Sequence, residues 1–163
     1  MKFARYFLVF LLVSGCSFAG SGSGKAVERL ELEGKPYFDH IVTTGEFESL
    51  LDEMEGGDEV SIRASSLMAG WADASTALSL RFALSRALVR NPDAVLGLVP
   101  GVFSASDLCT IPYIEESVEL ELRHVDESIS ALARSATSGG AHGECMAIYM
   151  SIREEMAGGA GGR

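Results

Sequence analysis

A chain of 163 residues is the size of one domain, and 47% apolar residues are ample for a core. Its 23 acidic residues against 13 basic ones give a formal charge of −10, which argues against nucleic acid as a partner. The same charge disfavours lying flat on an anionic bilayer, so any membrane residence has to come from another source.

Lys2 and Arg5 precede an apolar run, YFLVFLLV, from Tyr6 to Val13. That run is far shorter than the about 20 residues a spanning helix needs. A basic start, a short apolar stretch and small residues after it predict a secretory signal over residues 1–15, with an N-terminal core helix as the alternative. Val13-Ser14-Gly15-Cys16 resembles the lipobox of bacterial lipoprotein precursors. The resemblance implies that Cys16 becomes the mature N-terminus, carrying a diacylglycerol and a further acyl chain such as palmitate. More than one chain meets the physical requirement for stable anchoring. Ser17 next to that cysteine is similar to lipoproteins sent to the outer membrane, facing the periplasm. The alternative is cleavage after Ser17-Phe18-Ala19, releasing a soluble periplasmic or secreted product.

Loss of residues 1–15 leaves 11 basic residues against 23 acidic ones, a charge of −12. Lipidating Cys16, or cutting it away, leaves only Cys109 and Cys145. In an oxidising compartment these two are candidates for one disulfide, the alternative being two separate buried thiols.

Residues 16–26, rich in glycine and serine, read as the lipidated cysteine followed by a flexible tether, spanning roughly 17 Å by random-coil scaling. Its GSGSGK lacks the phosphate-loop pattern. Over 27–42, Leu30 and Leu32 alternate with charges and Gly34 to Pro36 interrupt, which predicts an extended arm with a short strand. A helical domain follows over 43–157. Thr43-Thr44-Gly45-Glu46 has the form of a capping box, and Phe47, Leu50, Leu51 and Met54 share one helical face. Asp58 caps a second helix with Val60, Ala64, Leu67, Met68 and Trp71 as its apolar set. Asp73 starts a third, over 74–90. It carries Ala77, Leu80, Leu84, Ala87 and Leu88 on one side and Leu78, Phe82 and Val89 on the other, as a central helix would.

Asn91-Pro92 opens a short helix to Val99, and a further turn over 104–110 carries Cys109. Ile111-Pro112 breaks helical geometry. The longest helix runs over 115–136 with Val118, Leu122, Val125, Ile129, Leu132, Ala133 and Ala136 in register. The last, over 143–157, turns Cys145, Ile148, Tyr149, Ile152 and Met156 inward, and residues 158–163 form a flexible tail. If the final two helices form an antiparallel hairpin, Cys109 and Cys145 meet. The expected fold is all-α: a small helical bundle with one disulfide, or a short repeat-like stack of helix pairs.

Chemistry is sparse. His142 precedes Cys145 with Glu144 between, a spacing that could share a metal and is similar to part of a zinc-deaminase motif, but the required P-C-x-x-C is missing. His142 is thus a weak metal candidate beside the reading of a loop histidine, and no cofactor is expected. His124, among Glu121, Arg123, Asp126 and Glu127, is read as lying on the polar side of the long helix, and His40 as part of the arm. No nucleophile motif or C-x-x-C is present, the serines read as tether or helix surface, and no catalytic residue is assigned. NPDAVL (Asn91–Leu96) and CTIPYIE (Cys109–Glu115) resemble small exported proteobacterial proteins of uncharacterised function, a likeness that implies no activity. Tyr113 and Ile114 are either core or, with Glu115 and Glu116, a partner-contact patch. The sequence therefore points to a lipid-anchored, periplasm-facing, non-enzymatic module that binds another protein. A hydrolase or metal enzyme using His142 or His124, and a carrier of small apolar ligands, are the alternatives.

Overall fold

A computed structural model describes residues 22–113 and 115–160. The lipobox, Cys16, the signal segment, Ile114 and the last residues of the tail lie outside them. Among the described residues the fold is all-α, with nine helices and one disulfide.

The hub is α5 (Ala74–Arg90), which packs on α3 (Glu46–Glu55) and α4 (Glu59–Met68), on the short α6 (Pro92–Leu96) and α7 (Ala105–Leu108), and on α8 (Val118–Arg134). Outside α3 and α4 lie α1 (Gly22–Glu33) and α2 (Lys35–Thr44), while α9 (Gly140–Ala160) closes over α8 and α7. The reason α5 sits centrally is its sequence: Leu80, Ala83, Leu84, Ala87 and Leu88 are fully buried, and Thr76 and Ser85 join them. Asp73 starts the helix by accepting from the amides of Ser75 and Thr76 at 3.1 and 2.9 Å. Its C-terminal end receives the α3–α4 turn: Asn91 Nδ2 donates to the Gly57 carbonyl at 3.1 Å. Gly57 has φ +90° there, and a Cβ on it would lie 2.9 Å from Arg90 Cβ, so only glycine fits.

The expected extended arm over 27–42 is instead helical, and residues 22–26 of the expected tether form the start of α1. Leu30 and Leu32 are not two faces of a strand: Leu30 is buried against the core while Leu32 is 78% exposed. Gly34 at φ +65° separates two helices rather than ending regular structure, and Pro36 stands in the first turn of α2, where its missing N–H costs nothing. Tyr37, Phe38 and Ile41 then fall on one buried face.

Three further local readings are corrected. The capping box at Thr43-Thr44 does not form, because α2 continues through both threonines. Their hydroxyls donate back to the carbonyls of Asp39 and His40, and Gly45 in left-handed geometry links α2 to α3. On α4 the buried set is Ser61, Ile62, Ala64, Ser65 and Met68, with Val60 and Leu67 exposed. Ser65 Oγ donates to the Ile62 carbonyl at 2.6 Å, and Ser61 Oγ to the capping Asp58 at 2.8 Å, so neither hydroxyl is stranded. On α8 the buried stripe is His124, Val125, Ser128, Ala131 and Leu132, while Val118, Ala133 and Ala136 are exposed. Of the expected stripe, Val125 and Leu132 are fully buried and Ile129 packs against the core, so the apolar spacing located the helix and part of its inner face. Beyond it, α9 extends helix into the expected tail as far as Ala160.

Candidate functional site

Residues 109–113 continue from the end of α7, and their backbone is fixed from below at several points. Cys109, the C-cap of α7, is bonded to Cys145 near the start of α9, with the Cα atoms 5.3 Å apart. Closing 36 residues of chain stabilises by about 4 kcal/mol on the loop-entropy account. The next carbonyl, of Thr110, accepts from Ser85 Oγ of α5 at 2.7 Å and from the Tyr149 hydroxyl of α9 at 3.3 Å. Two residues on, the buried Pro112 offers its carbonyl to Arg86 Nη1 at 2.6 Å. The other guanidinium nitrogen of Arg86 pairs with Glu55 of α3 at 2.8 Å. The half-buried Tyr113 ring stands edge-on to the His124 imidazole, centroids 5.7 Å apart, with Arg86 5.9 Å from its centre.

Beneath Tyr113 lies a sealed polar cluster. His124 is 3% exposed, and its Nε2 has Ser85 Oγ at 3.3 Å, Ser128 Oγ at 3.4 Å and the Tyr149 hydroxyl at 3.5 Å. Burial pushes the imidazole down to about 4; the Thr110 backbone opposes that shift and nearby Arg86 adds to it. The ring is therefore neutral at pH 7. Burial also raises the Tyr149 phenol above its ordinary range. Four helical and loop segments thus meet on one histidine and one carbonyl, with every contributing hydroxyl partnered.

This overturns the reading of His124 as a residue of the polar face, and of Ser85 and Ser128 as surface groups. A neutral imidazole near a serine invites comparison with a nucleophile and its base. Here, however, the Ser85 proton is directed at the Thr110 carbonyl, and among the described residues no carboxylate orients the ring. The cluster orients the 109–113 backbone instead. Ser85, Ser128 and Tyr149 carried no motif. Their signal was positional: Ser85 sits beside Leu84, Ala87 and Leu88 on the buried face of α5, and Ser128 one turn from His124, both beside the core residue Val125.

Beyond Tyr113 the chain turns outward. Glu115 has φ +58°, a left-handed conformation that costs a non-glycine residue on the order of 1 kcal/mol. Glu115, Glu116 and Ser117 are exposed, and Ser117 Oγ caps α8 by accepting from the Leu120 amide at 3.3 Å. Val118 is 47% exposed. One turn along α8, Leu122 and Val89 of α5 line a surface groove of about 610 Å³, edged by Glu119, Arg123, Asp126 and Arg134. The four residues expected to contact a partner therefore divide: Tyr113 packs half-buried over His124, Glu115 and Glu116 point to solvent, and Ile114 lies outside the described residues.

The remaining candidates lie apart from this site. His142 Nε2 is 3.0 Å from the Leu132 carbonyl, in the last turn of α8, and Cys145 is committed to the disulfide, so the two do not make a thiolate–imidazole pair. His40 is exposed, 3.9 Å from Glu46. Among the described residues no three metal-ligating side chains cluster, and no helix is long and apolar enough to cross a membrane. In comparisons with known proteins, no family model, no curated protein and no solved structure matches this chain.

Proposed function

We propose that the protein is an exported, lipid-anchored helical module, held to the membrane through Cys16, whose work is to bind another protein. The contact surface in this reading is Tyr113, Ile114, Glu115 and Glu116, continued by Val118 and Leu122 on α8. One observation carries it: a surface segment with a left-handed glutamate is fastened from beneath by a disulfide, two hydroxyls and a guanidinium, and runs directly into a partly apolar groove. The backbone at 109–112, already held in one conformation, loses little entropy when a partner binds beside it, so contacts made there convert more fully into affinity. Glu115, Glu116 and Glu119 at this end favour a partner that sets basic side chains around an apolar one. An assembly factor, an accessory subunit and an immunity-type protein share that description.

The test is in-cell photo-crosslinking with a reactive residue at position 116, followed by gentle solubilisation, capture of the tagged chain and mass spectrometry. The same residue at Glu48, exposed on α3, is the control. One dominant adduct from position 116 and none from position 48 is the expected result. Equal labelling from both positions, or none from either, would refute the binding surface. A Cys16→Ser chain is expected to leave the membrane fraction, and its retention there would refute the anchor.

A further inference from the structure

The hold on the 109–113 backbone passes through one titratable group. Ser85 and Tyr149, which both donate to the Thr110 carbonyl, are also within 3.5 Å of His124 Nε2. A neutral imidazole has one nitrogen that accepts a hydrogen bond; an imidazolium has none and donates from both. Ser85 and Tyr149 spend their protons on the Thr110 carbonyl. A proton on His124 therefore leaves the ring donating from both nitrogens among hydroxyls already engaged elsewhere, and adds a positive charge to a buried site.

Among the described residues no carboxylate faces the ring, and the Thr110 carbonyl, the one backbone acceptor that favours the charged form, already takes the Ser85 and Tyr149 protons. From α5 it is faced by Ser85 and Arg86, from α8 by Ser128, from α9 by Tyr149, and from the overlying segment by the Thr110 carbonyl and Tyr113. Burial raises the Tyr149 phenol, which therefore carries no charge in acid. The one charged group among these neighbours is the Arg86 guanidinium, of the same sign, and its own carboxylate partner, Glu55, is already paired with it. The imidazolium is accommodated better when the ring meets water than in the closed site.

We propose that His124 is an acid-sensitive latch: proton uptake by its imidazole frees Tyr113 and the Thr110–Pro112 backbone from the α5–α8–α9 seam while the helices around α3 remain folded. The Cys109–Cys145 bond is untouched by this step and keeps the two attachment points together, which makes the opening local and reversible. The latch belongs to the fold and does not depend on what binds the segment. With the closed ring titrating at about 4 and an open ring at 6.5, the open-to-closed ratio rises about 100-fold from pH 7 to pH 4.

Fluorine NMR of the full chain carrying 3-fluorotyrosine tests this. Tyr113 and Tyr149 report the seam, whereas Tyr37 on α2 and the fluorescence of Trp71, which packs on Phe38, report the other side of the molecule. Expected between pH 7 and pH 4 is a reversible change at Tyr113 and Tyr149, with Tyr37 and Trp71 unmoved. In a His124→Gln chain that folds, the Tyr113 change is expected to vanish. Unmoved Tyr113 and Tyr149 signals, or a single transition shared by all the reporters, would overturn the latch. So would a folded His124→Gln chain that keeps the wild-type response. The wild-type titration decides the matter even if the variant does not fold.

Discussion

The two sides of the molecule around α5 are held together by different physics. Toward α1–α4 the buried contacts are chiefly apolar: Phe38 meets Phe47 edge-on at 5.9 Å and Trp71 at 6.1 Å, with Met54, Ile62 and Met68 fully buried beside them, and the polar Arg86–Glu55 and Asn91–Gly57 links at the rim. Toward α8 and α9 the seam is built from His124, Ser85, Ser128, Tyr149 and a disulfide. Apolar burial is insensitive to pH and redox state, whereas a neutral buried imidazole and a disulfide respond to both. The side that carries the exposed segment is thus the side whose stability depends on conditions.

Reduction, or the Cys109→Ser/Cys145→Ser chain, is the strongest way to break this contrast. It is expected to cost about 4 kcal/mol in urea unfolding and to leave α1–α4 the better protected part in hydrogen exchange. Uniform loss of protection would mean that the two sides are one cooperative unit. Met54→Ala, on the apolar side, is expected to cost about 3 kcal/mol with the same penalty at pH 7 and pH 4.5. A pH-dependent penalty there would blur the distinction.

Acid provides the third test. The folded pKa of His124 lies below its unfolded value of 6.5, so the unfolded chain takes the proton first as pH falls. Stability from the neutral ring is complete above pH 6.5, declines as pH falls toward 4 and is exhausted below that. The loss between pH 7 and pH 4 is expected to be roughly 2–3 kcal/mol, measured as the difference between wild type and a folded His124→Gln chain so that carboxylate titration cancels. A difference that stays constant with pH would remove His124 from the account. Smallest is Ser85→Ala, expected to cost about 1–2 kcal/mol by leaving the Thr110 carbonyl and the His124 ring each with one partner fewer.

Much of this architecture could be read from residue spacing. Phe47, Leu50, Leu51 and Met54 are buried together, Asp58, Asp73 and Asn91 cap the helices that follow them, and Cys109 pairs with Cys145. These features are local, or follow from an odd cysteine count, and so leave a direct trace in the chain. The helices α1 and α2 were missed because their stability comes from docking on α4 and α3, while Gly34 and Pro36 imitate a break. The inner faces of α4 and α8 were legible only in part: Ala64, Met68, Val125 and Leu132 are buried as their spacing implies, but both helices also bury serines, and α8 a histidine, which an apolar count assigns to solvent. Such groups enter a core only when partners on other helices satisfy them. Ser85, Ser128 and Tyr149 lie 39, 4 and 25 residues from His124, so most of that cluster exists only in three dimensions. The candidate segment was legible as Cys-Thr-Ile-Pro-Tyr, but not what fastens it.

The most direct measurement of that fastening is the titration of the three histidine rings by NMR in the oxidised, native chain. The account predicts that the His124 ring is neutral at pH 6 and takes its proton near pH 4, together with the change at Tyr113. A His124 ring that titrates at 6.5 or above while Tyr113 stays in place would contradict it, because the imidazole would then be solvated rather than sealed beneath the segment.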